Sequence, residues 1–252
     1  MRNEGYLLIA DISGYTDFIR LHNMRTKPLV GSTLANMFEA HADKVIRDLL
    51  EAVIEKIEPV MQLNKLEGDA AFFFCPKSPD DFPADKIFDV MTRAHEAFNQ
   101  KSSDLVFVQA CGCDPCLQSK NLRLKIVAHK GTFSIQKIRN FEEVTGEDVI
   151  LAHRLLKNSL KSNEYWLVTD PFLKGLSPTK KAKFTTSRQN IESFGKMALN
   201  LIEFRSPDPK NEKIERKLKL FNYLRPARYF MKPSMTTLLF GRQKERNFTN
   251  EY

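Results

Sequence analysis

No stretch of this 252-residue chain is apolar for long enough to cross a bilayer: the earliest run, Tyr6 to Ala10, is about half a signal-peptide core and far short of the ~20 residues a spanning helix needs. Cysteine is scarce, four in all, and three of the four crowd into 111–116, which suits a reducing compartment better than a secreted disulfide framework. A cytoplasmic location is expected. Glycine (10) and proline (12) are too few for a low-complexity or collagen-like chain, so a packed fold is the default at this length. Net positive charge is missing from most of the molecule. Lys and Arg outnumber Asp and Glu by 39 to 31, yet residues 210–252 alone hold 11 basic and 4 acidic side chains, which leaves the rest of the chain nearly neutral. A nucleic-acid-coating body would spread its cations over the folded surface, one per phosphate contact.

Hydrophobic periodicity organises the remainder. GYLLIADISGYTDFI reads as a short apolar strand, Tyr6 to Ile12, a Ser-Gly turn and a helix start. Apolar residues recur at helical spacing from Thr33 to about Ile54 and again from about Ala84 to Asn99. Residues 57–64 and 70–75 are strand-like runs joined by KLEGD, so Gly68-Asp69 is a hairpin corner. LRLKIVAHKGTFSIQKI suggests two strands meeting near Lys130-Gly131, and Gly146 to Asn158 has helical spacing through Val149, Ile150, Ala152, His153 and Leu156. YWLVTD, NIESF and ALNLIEF complete the strands. The order predicts an α+β fold, a ferredoxin-like mixed sheet with helices on one face, over residues 1–207, followed by a basic extension at 208–252.

Asp11 ends a buried-looking strand and Asp69 sits at a hairpin corner. Alone, each reads as a capping or turn residue. In a ferredoxin-like order the first strand can lie beside the hairpin, and two carboxylates brought together there repel unless a cation separates them. Mg²⁺ suits such a pair, since it takes one or two carboxylates together with phosphate oxygens and water. The turn Ser13-Gly14-Tyr15-Thr16, at a helix start, offers backbone N–H groups to a phosphate.

Four segments in sequence order, LLIADISGYTDFI, KLEGDAAFFF, VAHKG and VTGEDVILAHRL, resemble the class III nucleotidyl cyclases, the catalytic domain of adenylate and guanylate cyclases, from about Tyr6 to Phe204. The resemblance implies a two-metal Mg²⁺ or Mn²⁺ site at Asp11, Asp69 and the carbonyl of Ile12, with Ser13 to Thr16 as phosphate loop. It places Lys65 on the purine-reading lysine of adenylate cyclases, which favours ATP, and Glu143 on the second purine-reading position, where Glu is a departure. Arg154 falls on the arginine that stabilises the transferring phosphoryl group and Lys196 on the phosphate-binding lysine. Sites of this family form across a head-to-tail homodimer, the aspartates coming from one subunit and Lys65, Glu143 and Arg154 from the other. The main mismatch is Ile150, which stands where the family has a transition-state asparagine and offers no hydrogen bond. Two readings follow: an ATP-using cyclase that is slow or that uses Asp148 or His153 instead, and a degenerate cyclase fold that binds a nucleotide or a protein without turnover.

Two features stand outside the resemblance. Cys111, Cys113 and Cys116, in an insert at 110–120, could hold Zn²⁺ with Cys75, His95 or His129 as fourth ligand, or could be three reduced thiols. His129 also reads as a packed strand residue and His153 as surface-facing. In the basic extension, cations alternate with Phe221, Tyr223, Tyr229 and Phe240. Docking on the body or on the partner subunit is the first reading, ahead of an anionic membrane surface and of nucleic acid.

Overall fold

The structure, a computed structural model, describes residues 2–22, 32–76, 84–108, 118–158 and 160–204. Cys111, Cys113, Cys116 and the basic extension lie outside these residues. The elements in order are β1 (Arg2–Ser13), α1 (Tyr15–His22), α2 (Ser32–Ile57), β2 (Gln62–Glu67), β3 (Ala70–Pro76), α3 (Ala84–Val108), a 3₁₀ turn (Gln118–Asn121), β4 (Arg123–Ile138), β5 (Phe141–Thr145), α4 (Glu147–Leu156), β6 (Tyr165–Thr169), α5 (Asp170–Lys174), α6 (Pro178–Lys181), β7 (Thr185–Ile191) and β8 (Gly195–Glu203). The fold is α+β, as expected, with one eight-stranded, mostly antiparallel sheet in the order β2-β3-β1-β4-β6-β8-β7 and β5 paired with β4.

The apolar run of β1 is explained by its central place. Side chains alternate across a strand, and both faces of β1 are covered. Tyr6, Leu8, Ala10 and Ile12 join α2 and α3 in the largest core cluster. Leu7 and Ile9 point the other way, to Phe72, Phe74 and the Val149 and Ala152 side chains of α4. Strand β3 divides in the same manner: Ala71, Phe73 and Cys75 face the two long helices, while Phe72 and Phe74 face α4. β2, at the sheet edge, reads QLNKLE and carries no fully buried side chain, as an edge strand tolerates. Thus the two long helices share one face, and α4 covers part of the other.

Three local expectations are corrected. LRLKIVAHKGTFSIQKI is, from Arg123 on, one sixteen-residue strand, unbroken at Lys130-Gly131; the hairpin corner comes later, at Arg139 (φ 56), and FEEVT returns as β5. Gly131 serves close approach: a Cβ there would fall on the Asp148 carboxylate and on His129 Nε2. Secondly, residues 57–61 belong to the end of α2 and the turn after it, so the strand expected over 57–64 begins at Gln62. Finally, NIESF is a turn for the most part, with Ser193 at φ 70 joining β7 to β8. Gly68 (φ 65) does form the corner expected of the β2–β3 hairpin.

Candidate functional site

Asp11 and Asp69 converge. β1 pairs antiparallel with β3 so that Asp11 lies opposite Ala70, and the Ile12 N–H donates to the Asp69 carbonyl at 3.0 Å. Asp11 is the first polar residue on the face that begins with Leu7 and Ile9, and the apolar floor beneath it removes water. Burial first, then the neighbouring Asp69 charge, pushes the Asp11 carboxyl up to about 6, with Lys125 opposing. Burial likewise raises Asp69 against its own backbone hydrogen bond and Lys125. Lys125 lies directly across β4 from Asp11 and extends over the Tyr165 ring at 5.7 Å. It was not singled out from the sequence, because only the strand register sets it there. Next to the pair, Gly14 takes φ 91 and α1 begins at Tyr15, with the Phe18 N–H returning to the Gly14 carbonyl at 3.0 Å.

The donor set of this corner is hard oxygen: two carboxylates that repel each other across a dry floor and the main chain of Ile12 beside them. That chemistry fits Mg²⁺ or Mn²⁺. Asp11, Asp69 and the Ile12 carbonyl are the groups that would hold the ion.

A second constellation lies in a groove of about 500 Å³ lined by Lys65, Glu143, Ile150, His153, Arg154 and the 144–146 segment, within the usual size for a small-molecule site. Among the described residues, neither Asp11 nor Asp69 lines it. A register shift between Leu63 and Lys65 bulges β2 at Asn64, whose side-chain amide donates to the Glu142 carbonyl at 2.9 Å and ties β2 to β5. Lys65 is thereby brought to Glu143 (3.5 Å) while holding Glu67 at 3.0 Å, and its hydrogen bond to Glu67 is the main cause of its raised pKa.

Helix α4 supplies the other wall. Its buried residues are Val149, Leu151, Ala152 and Leu155; Ile150, assigned to the buried face by periodicity, is 55 % exposed instead. His153, expected at the surface, is half-buried: it packs on the Phe72 ring at 5.1 Å and brings Nδ1 to 3.5 Å from Glu67. Arg154 pairs with Glu192 of the β7–β8 turn at 2.5 Å. Lys196, opposite Asn190 on that hairpin, is exposed and does not line the groove.

Asp148 is committed elsewhere and leaves Ile150 without a substitute from that side. It accepts from the Thr132 N–H at 2.6 Å and the Thr132 hydroxyl at 3.2 Å. Burial raises its carboxyl, but these bonds and His129 outweigh that and hold it below the usual range. The His129 Nε2 comes to 3.1 Å from Asp148 without the alignment of a hydrogen bond, while Nδ1 meets the Thr169 hydroxyl at 2.7 Å. Burial lowers the pKa of this imidazole, so the packed-strand reading of His129 holds. His95 is also a core residue: it accepts from the Trp166 N–H at 3.3 Å, meets Glu164 at 3.0 Å and stacks on Phe204. Cys75 is buried on β3.

A family model described as "Protein of unknown function (DUF2652)" matches residues 46–165. The uncharacterized protein Rv2561/Rv2562 of Mycobacterium tuberculosis (strain ATCC 25618 / H37Rv) is 33 % identical over 160 residues, 64 % of this chain and 74 % of that protein. The chain belongs to the DUF2652 family. Among solved structures, the adenylyl cyclase CyaB from P. aeruginosa matches with a TM-score of 0.54 at 13 % identity, covering 81 % of this chain and 96 % of that one. The guanylate cyclase domain of RhGC from Catenaria anguillulae, solved in complex with GTP, matches with 0.52 at 13 % identity over 82 % and 100 % of the two chains. Adenylate cyclases from Trypanosoma brucei give 0.51 at 14 % identity over 79 % and 88 %. This DUF2652 protein therefore has the fold of nucleotidyl cyclase catalytic domains. No helix among its described residues is long and apolar enough to cross a membrane.

Proposed function

We propose that this protein is a divergent class III nucleotidyl cyclase that converts ATP to cyclic AMP and pyrophosphate in a head-to-tail homodimer. The observation that carries the reading is the convergence of Asp11 and Asp69 at one corner of the sheet, with Lys65, Glu143 and Arg154 gathered in a separate groove of the same chain. A site split in this way needs both halves, and two copies arranged head to tail supply them. The chemistry is assigned to residues 1–207. The segment 208–252 is left to dock on the body or on the partner subunit.

In the reaction the ribose 3′-oxygen bonds to the α-phosphorus as the bond from that phosphorus to pyrophosphate breaks, and the 3′-proton is lost. Phosphoryl transfer of this kind asks for positioning and charge more than for a covalent nucleophile. A divalent cation held by Asp11 and Asp69 would lower the pKa of the attacking hydroxyl and neutralise phosphate charge. Lys125 sets a further cation beside the phosphates, and the Gly14 turn presents N–H groups to them. Lys65 and Glu143 hold the purine. Arg154, released from Glu192, meets the charge that develops on the transferring phosphoryl group.

Purified protein incubated with ATP or GTP and Mg²⁺ or Mn²⁺ tests this reading. Cyclic nucleotide is expected from ATP, and Asp11→Ala should reduce it by at least ~10²-fold, as expected for loss of a preorganised charged group. Product that persists in Asp11→Ala overturns the assignment. Ile150 favours a second reading, a nucleotide-binding module without turnover, because an exposed aliphatic side chain in the groove gives no hydrogen bond to a transition state. Nucleotide binding without product would select it.

A further inference from the structure

Two cations of the groove are already held by carboxylates. Lys65 is shared between Glu67 and Glu143, and Arg154 is held by Glu192. Ile150 offers no polar atom. His153 stands three residues further on and therefore on the same helix face. Its Nδ1 lies 3.5 Å from the Glu67 carboxylate, which can only accept, and this contact favours the tautomer that carries the proton on Nδ1 and leaves Nε2 its lone pair. The charged groups facing the ring are Glu67 and Lys65 from β2 and Glu143 from β5. Burial, with Lys65, lowers the pKa of the ring against the pull of the two glutamates, so the neutral form prevails at pH 7.

We propose that His153, oriented by Glu67, is a specificity-determining residue of the groove whose Nε2 accepts a hydrogen bond from an N–H or O–H of the bound nucleoside. The inference rests on the nucleotide reading and deepens it. The groove replaces the donor absent at Ile150 with an acceptor one helical turn away, and so selects a substrate group able to give a proton. Apart from the 3′-hydroxyl, which is the attacking group of the proposed reaction, two groups of ATP have this chemistry, the exocyclic amine of adenine and the ribose 2′-hydroxyl. Glu67 acts through His153 and is a positioning residue.

Calorimetric titration of the full-length protein with ATP, inosine triphosphate and 2′-deoxy-ATP in Mg²⁺ separates these possibilities without depending on turnover. A single buried hydrogen bond predicts that His153→Ala binds ATP about 5- to 20-fold more weakly. One analogue, the one without the relevant donor, should bind wild type and His153→Ala equally, which names the group recognised. His153→Gln, whose amide oxygen also accepts, should retain most of the affinity, whereas loss of packing on Phe72 alone would penalise all three ligands equally. Glu67→Ala should fall between wild type and His153→Ala. Equal binding of ATP by wild type and His153→Ala overturns the proposal while leaving the nucleotide reading intact, as does a uniform loss for all three ligands that Gln does not rescue. Absence of nucleotide binding by the wild type overturns both.

Discussion

The two half-sites of this chain are built on opposite electrostatic principles. At the first corner, two carboxylates face one ammonium over an apolar floor, and burial, reinforced by the surplus negative charge, raises Asp11. In the groove, Lys65 is paired with Glu67 and Glu143 and Arg154 with Glu192, and Lys157 lines the wall as a third cation, so three positive and three negative charges balance before any ligand arrives. A cation entering the first corner relieves repulsion. A nucleotide entering the groove must exchange one set of partners for another. Affinity at the corner should therefore respond strongly to charge, and affinity at the groove to the geometry of a few hydrogen bonds.

Separating the halves gives the largest expected effect. Asp11→Ala and Arg154→Ala should each reduce cyclic product to near background when assayed alone. Mixed as subunits, half of the dimers are mixed, and each of these has one intact and one doubly damaged site. About a quarter of wild-type activity should return. An assay of the mixture over a range of protein concentration checks this, and no recovery would place both halves of the site within one chain.

Breaking the frame beneath the groove comes next. Asp148 fixes the start of α4 to β4 through Thr132, and Gly131 is the only residue type that leaves room for that carboxylate and His129. Gly131→Ala should cost about 2–3 kcal/mol by overpacking, measured by urea denaturation, and should weaken nucleotide binding while leaving Mn²⁺ binding at the distant corner close to wild type. Equal loss at both places would mean that α4 is not an independent support.

This position also marks the limit of what could be read from residues alone. The central strands and the corner at Gly68 were legible, because a strand buried on both faces must be a continuous apolar run and a φ of 65 at a turn asks for glycine. Asp11 and Asp69 were legible as a pair because the element order limits where the first strand can lie. Gly131 was misread as a turn. Glycine answers equally to a bend or to a close approach, and what approaches it is a carboxylate seventeen residues later. Lys125 and Glu192 were passed over for the same reason: their partners are set by cross-strand register, which spacing along one segment does not encode. Periodicity assigned Ile150 to the core side of α4, where Leu151 is buried instead, a rotation error of about one position.

A smaller effect sharpens the contrast at the acidic corner. The folded pKa of Asp11 lies above that of an unfolded carboxylate, so at pH 7 the ionised group disfavours the native state, and this penalty fades as pH falls through about 6 toward 4. Asp11→Asn without divalent cation should therefore stabilise the protein at pH 7 by about 1–2 kcal/mol, below the ceiling of roughly 3 kcal/mol set by 1.36 kcal/mol per pH unit. The gain should disappear near pH 4. Urea denaturation at the two pH values measures it, and the same stabilisation at both would assign the effect to packing instead of charge.

The smallest effect concerns Glu192. Its pair with Arg154 is short, but Glu192 is 67 % exposed and the arginine a third exposed, so screening leaves the bond worth less than about 1 kcal/mol to the fold. Glu192→Gln should thus hardly change the denaturation midpoint. Its consequence lies in the exchange of partners that the balanced groove imposes. With Glu192 neutral, Arg154 needs less free energy to turn toward a phosphate, and nucleotide should bind up to about 5-fold more tightly, the factor that ~1 kcal/mol allows. The corner, which has no such partner to give up, should bind Mn²⁺ as before. Tighter nucleotide binding with unchanged metal affinity would confirm that the groove is restrained by its own salt bridges. Unchanged nucleotide binding would mean that Arg154 stays with Glu192 in the bound state and takes no part in holding the phosphates.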